Sequence, residues 1–120
     1  MKTLITMAAI AVFGVAAAHA QAPSVSYPSK AIRLVVTGTP GQGTDVLSRL
    51  IAQRLSQRIN QQIVVENKAG AGGNIGASFV AKSEPDGYTL LMATNATHAA
   101  NQAMYAKMPF DPIKDLNPWR

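Results

Sequence analysis

The chain has 120 residues, no cysteine, 14% charged residues and a formal charge of +5. Without a thiol there are no disulfides, no thiolate chemistry and no cysteine-based zinc site. The Lys and Arg residues are scattered, with no run and no interleaved aromatics. Nucleic-acid binding is therefore not expected, and the mild positive balance suits a small anionic ligand.

In chain order, Lys2 supplies a charge, Leu4 to Ala18 is apolar apart from Thr6 and Gly14, and Ala18-His19-Ala20 precedes Gln21. That layout predicts a secretory signal peptide over 1–20, cleaved after Ala20. The apolar run is shorter than the about 20 residues a membrane span needs. The mature segment, 21–120, is expected not to span a membrane, and it is long enough for one small domain.

Val25 to Ala31 reads as a polar lead-in and Ile32 to Val36 as a buried strand. Thr37 to Gly43 is a loop by composition, and Thr44 is the expected helix cap, with Asp45 in the first turn. Val46, Leu47, Leu50, Ile51, Leu55 and Ile59 recur at helical spacing and predict the buried face of that helix. A second strand, Ile63 to Asn67, is followed by a glycine-rich loop, Gly70 to Gly73. Asn74 is the expected cap of a helix through Lys82, with Ile75, Phe79 and Val80 inward. Glu84 to Gly87 is a turn, Tyr88 to Ala93 a third strand, and His98 to Lys107 a third helix. The proline-bearing tail from Met108 is expected to be irregular.

The order β-α-β-α-β-α predicts an α/β fold with a parallel sheet and flanking helices. All three polar loops follow strands, so they gather at the carboxyl edge, where open α/β sheets bind ligands. Their N–H groups lie at helix starts and suit an anion.

The enzyme readings fare worse. Gly38 to Gly43 has P-loop spacing, but Thr44-Asp45 stands where Lys and Ser or Thr are needed. A small exported dinucleotide-binding enzyme domain is the alternative reading, since Gly41 and Gly43 follow the first strand and Glu66 ends the second. Val46 occupies the place of its third glycine. No catalytic constellation or metal cluster is legible: once the signal leaves, His98 is the single histidine, and the serines lack a partner base. The chain is therefore expected to be no enzyme and to carry no cofactor.

Several segments together resemble the tripartite tricarboxylate transporter receptors, the Bug solute-binding family. They are Tyr27-Pro28-Ser29-Lys30, Pro40 to Asp45, Val65 to Gly76, Pro85 to Leu90, Thr97 to Asn101 and Tyr105 to Pro112. The resemblance implies a periplasmic receptor of two α/β lobes around a cleft. It implies binding of small carboxylates, and delivery to the membrane permease subunits of a tripartite tricarboxylate transporter. It also implies that backbone amides and waters of the first and third loops hold the carboxylate. Here those loops are Thr39, Gly41, Gln42, Gly43, Thr44 and Asp45, with Thr94, Asn95, Ala96, Thr97 and His98. In members that take amino acids, an acid in the first loop meets the ammonium group, a role that Asp45 matches by position. Gln42 stands where a glycine is common. Residues 21–118 are expected to be a partial first lobe of a periplasmic binding protein-like fold, with 119–120 a truncated end and the second lobe missing. Such a piece is expected to be marginally stable and to bind carboxylates no tighter than about millimolar.

Overall fold

The computed structural model describes residues 26–116. The expected signal peptide and its cleavage point lie outside them, as do Trp119 and Arg120. Strand β1, Ile32–Val36, leads through helix α1, Gly43–Ile59, to β2, Ile63–Asn67. A 3-10 turn at Ala71–Gly73 then opens α2, Asn74–Ala81, which leads to β3, Thr89–Met92. A π-helical turn, Ala96–Ala100, runs directly into α3, Asn101–Met104.

The sheet order is β2-β1-β3, and both pairings are parallel. Being central, β1 supplies much of the core: Ile32, Leu34, Val35 and Val36 are buried. Two right-handed crossovers running to opposite sides of β1 place α1 and α2 on opposite faces. Side-chain contacts agree. Asn67, in register with Val36, reaches α1 at Asp45, whereas Arg33, of the other parity, lies over the Phe79 ring of α2 at 5.7 Å. On that second face Glu66 bridges Arg33 at 3.2 Å and Lys68 at 2.7 Å.

The lead-in is fastened at the amino edge of the sheet. Tyr27 donates to the Gly87 carbonyl at 2.7 Å, and the Ser29 amide donates to the Tyr88 hydroxyl at 2.8 Å. The two tyrosine rings meet edge to face, with centroids 5.0 Å apart. The tail winds in turns and buries Phe110 and Pro112.

The α/β class, the parallel sheet and the element order agree with the sequence pattern; the helix faces agree only in part, with Leu55, Ile59, Phe79 and Val80 half-buried, and the caps do not. In α1 the buried residues are Asp45, Ser48 and Ala52. The expected inner residues Val46, Leu47, Leu50 and Ile51 are exposed, at 58%, 52%, 52% and 42%. Small side chains let the helix lie close on the sheet, and Ser48 satisfies its hydroxyl on the Thr44 carbonyl at 2.6 Å. The bulkier stripe is left facing outward. In α2 Asn74, Gly76 and Ala77 are buried, the expected Phe79 and Val80 are half-buried with Phe79 over the sheet, and Ile75 alone of the expected three is exposed, at 54%.

The cap of α1 falls on Gln42, not Thr44, and that of α2 on Gly73, not Asn74. Gly73 sits at φ 91°, a conformation that glycine adopts without strain. The third helix begins earlier than expected and stops where Tyr105 turns extended, φ −111° and ψ 124°.

Candidate functional site

The three βα loops leave one edge of the sheet and come together at Gly73. A Cβ placed on Gly73 would stand 2.8 Å from Thr97 Cγ2 and 3.1 Å from Thr37 Cβ. One residue from each loop therefore meets there, and only a glycine in the middle position admits the other two. The second loop is tied to the third helix by buried Asn101, whose Nδ2 donates to the Gly72 carbonyl at 2.9 Å and to Asn74 Oδ1 at 2.7 Å.

The first loop is organised by Asp45. Its Oδ2 accepts from the Gly41 amide at 2.9 Å and from Arg49 Nε at 3.0 Å, and its Oδ1 accepts from Asn67 Nδ2 at 2.9 Å. Asn67 Nδ2 also donates to the Gly38 carbonyl at 3.1 Å, and Arg49 Nη2 donates to Asn67 Oδ1 at 3.1 Å. Gly41, at φ 85°, takes the turn that aims its amide at Asp45. The Arg49 guanidinium, the Gly41 amide and the Asn67 amide together lower the Asp45 carboxyl from 3.8 to about 2. Opposite charge and donated hydrogen bonds both favour the ionised form. Asp45 is thus a buried loop anchor with both oxygens turned to protein donors. The ammonium-facing role that the resemblance implied is not the one its geometry serves.

Helix α1 then starts without a side-chain cap. Gln42 at the cap position is extended, φ −71° and ψ 161°, with no capping hydrogen bond, and the first intrahelical bond is Val46 N to the Gln42 carbonyl at 3.0 Å. The amides of Gly43, Thr44 and Asp45 precede that bond and are the helix's unsatisfied donors, at the positive end of its dipole. A Cβ on Gly43 would meet nothing within 4 Å, and its φ is not positive. The space beside Gly43 is open.

The third loop winds tightly on itself. Thr97 is fully buried. Its Oγ1 accepts from the Thr94 amide at 3.1 Å and lies 3.0 Å from the Thr94 carbonyl and 3.1 Å from His98 Nδ1. The Thr97 amide donates to Thr94 Oγ1 at 3.3 Å, and the His98 amide to the Thr94 carbonyl at 3.2 Å. Thr97 and Thr94 therefore shape the turn, while exposed Asn95 and half-buried Ala96 form its front.

Because β1 and β3 are neighbours, the loop from Thr39 to Asp45 and the loop from Thr94 to His98 stand side by side. Together they form a ledge, on which the Thr94, Thr97 and His98 amides are bonded within their own loop and the first amides of α1 are not. A shallow recess lies beside the second loop, lined by Ala71, Asn74, Ile75, Ser78, Tyr105, Lys107 and Pro109. It is away from the ledge and mostly apolar.

The sequence did not single out Arg49, Asn67 or Asn101 for this site, and pointed to Asn74 only as a helix cap. The available signal was an asparagine closing an apolar strand, a place where a side chain can reach the neighbouring loop.

Residues 47–119 match the family model described as the tripartite tricarboxylate transporter family receptor. The chain is 39% identical over 115 residues to the protein BugT of Bordetella pertussis, covering 93% of this chain and 35% of that one. Among solved structures, it is similar to an R. palustris protein determined with adipate, at 46% identity and a TM-score of 0.69, covering 72% of this chain and 29% of that one. It is also similar to MatC from Rhodopseudomonas palustris with bound malate, at 37% identity and a TM-score of 0.71, covering 74% and 30%. The chain spans between 26% and 35% of the length of the first curated relatives it matches.

Proposed function

We propose, because this chain belongs to the tripartite tricarboxylate transporter receptor family, that its ledge of backbone donors holds one carboxylate of a small dicarboxylic acid. The observation that carries this reading is the uncapped start of α1 at the carboxyl edge of the sheet, beside the third loop. Helix-start amides bind anions without a cationic side chain. No lysine or arginine stands between Thr37 and Val46 or between Ala93 and Ala100, so the ligand charge meets oriented dipoles rather than a point charge. The adipate and malate held by two similar proteins set the size of ligand to try first.

In the same reading the protein acts outside the cytoplasm as a solute-binding receptor and passes its ligand to membrane permease subunits. No described helix is long and apolar enough to cross a membrane. Residues 1–20 serve as the export signal, and 21–118 as a partial first lobe of such a receptor. The ligand contacts fall on the backbone of Gly43, Thr44 and Asp45 and on the front of the third loop at Asn95 and Ala96. Gly41, Thr94, Thr97 and His98 shape the turns behind them.

Calorimetric titration of the chain with malate, adipate and NAD tests the proposal. Saturable heat with a dicarboxylate and none with NAD supports it. Saturable NAD binding with no response to either acid favours a dinucleotide-binding domain instead and overturns it. N-terminal sequencing of the exported protein should begin at Gln21.

A further inference from the structure

Three of the first loop's own amides are already taken, that of Gln42 by the Thr39 carbonyl at 3.2 Å. The Gly41 amide donates to Asp45, and the Thr39 amide donates to Gln42 Oε1 at 3.1 Å. The bond to Oε1 fixes the orientation of the Gln42 carboxamide, because a backbone N–H can only donate and so must face the oxygen. The Nε2 group then turns the other way, from an exposed residue at the cap position of α1. Among the described residues no acceptor lies on Nε2.

Gly38 makes room for this arrangement. A Cβ there would stand 2.9 Å from Gln42 Oε1, so any other residue at 38 would push the carboxamide off the Thr39 amide. Gly38 and Gln42 fit each other as a pair.

We propose that Gln42 is a specificity-determining residue: pinned through its carbonyl to the Thr39 amide, it holds Nε2 as a fixed neutral donor for a ligand carboxylate oxygen at the start of α1. This role rests on the carboxylate-binding reading above. It adds direction to a site whose remaining donors are main-chain amides, and it favours ligands that place an acceptor oxygen there over those that place a methylene or an ammonium group. A side chain already held in position loses little conformational freedom when the ligand arrives.

The test uses the full chain, titrated with adipate and malate by calorimetry at fixed ionic strength, with the Thr39 amide followed by nitrogen-15 NMR. Gln42→Glu keeps an oxygen for the Thr39 amide but has no hydrogen to donate at neutral pH. It should leave the Thr39 resonance nearly in place and weaken binding by at least about tenfold, the range for one hydrogen bond to a charged group. Gln42→Met removes both the anchor and the donor without adding charge. It should shift the Thr39 resonance and also weaken binding about tenfold. Thermal melts of both variants should match the parent, since the residue is exposed. If the parent binds and Gln42→Met binds equally well, the role of Gln42 is wrong while the carboxylate reading stands. If the parent binds neither acid, the carboxylate reading falls and this role falls with it. A Thr39 resonance that ignores Gln42→Met would overturn the anchor itself.

Discussion

Asn67 Nδ2 lies 2.9 Å from Asp45 Oδ1, which joins the last residue of β2 to the first turn of α1 and fastens the loop between β1 and α1 from behind. The same amide group holds the Gly38 carbonyl at 3.1 Å. The ledge thus owes its shape to the side chains of a buried acid and an asparagine, both turned to the protein rather than to the open side.

Removing that acid should loosen the loop without dissolving the sheet. Asp45→Ala strands the Gly41 amide, Arg49 and Asn67 without their shared acceptor. The melting temperature should fall by roughly 5–10 °C for a domain of this size, and amide exchange at Gly41 should quicken. An unchanged melt would show that the network carries no stability.

The acid also sets a pH dependence. Its folded pKa is depressed, to about 2 from 3.8. In that interval the unfolded chain binds the extra proton, so stability rises with pH. The contribution is complete above about pH 4 and is lost as pH falls toward 2. Glu66, held down first by Lys68, and Asp86 and Asp111, each held down first by a backbone amide, act with the same sign. Melts from pH 6 to pH 2 should show a steady decline, and Asp45→Asn should make that decline shallower. Equal slopes in the two proteins would remove Asp45 from the account.

Gly73→Ala should be the most damaging single change in the three loops. It combines a left-handed backbone, φ 91°, with a methyl group 2.8 Å from Thr97 Cγ2 and 3.1 Å from Thr37 Cβ. Strain and overpacking together should cost about 2–4 kcal/mol, read from urea unfolding. A loss below about 0.5 kcal/mol, the range of an ordinary surface change, would mean that the loops do not meet as closely as described.

Gly43→Val should do the opposite, sparing the fold and harming the site. A Cβ at Gly43 meets nothing within 4 Å, and its φ is not positive, so neither clash nor backbone strain arises. The branched side chain would occupy the open space beside Gly43 at the start of α1. The melt should be unchanged, and any malate or adipate binding lost. Retained affinity would move the ligand off α1.

The outer stripe of α1 should govern self-association. Leu47 and Leu50 are half exposed, so Leu47→Gln with Leu50→Gln removes apolar surface from water contact rather than from the core. Stability should change by less than about 0.5 kcal/mol per site, while light scattering at high concentration should fall. A cooperative loss of structure would show that the stripe packs inside this chain.

The strands and the loops were legible because their signals are local. Ile32 to Val36 and Ile63 to Asn67 are β-branched runs bounded by turn residues, and the structure keeps those boundaries. Glycine and threonine after each strand pointed to one edge, and the parallel pairing brings the loops there. The packed face of α1 was not legible. Periodicity finds the bulkiest apolar stripe, Val46, Leu47, Leu50 and Ile51, whereas the sheet took the stripe of Asp45, Ser48 and Ala52. A buried carboxylate is tolerable only where donors wait for it. Two of those donors, Gly41 and Arg49, lie four residues to either side of Asp45, but the third, Asn67, comes from the end of β2. No window of sequence contains that match. The helix caps were misplaced for a related reason: Gly73 and Gln42 owe their positions to close approach and to a folded-back side chain, both of which depend on tertiary structure.

The donors at the start of α1 belong to the main chain, and a main-chain N–H survives every substitution except proline. In the proposed site, mutations at Gln42, Thr44 or Asn95 would change what surrounds an anion without deleting the main-chain donors. A lineage carrying this scaffold can therefore exchange one acid for another in small steps, with each intermediate sequence still able to hold a carboxylate. A receptor that relied on a single arginine would pass through a non-binding ancestor whenever that residue changed. Donors set by backbone course are inherited with the fold, and the side chains around them are left free to diverge.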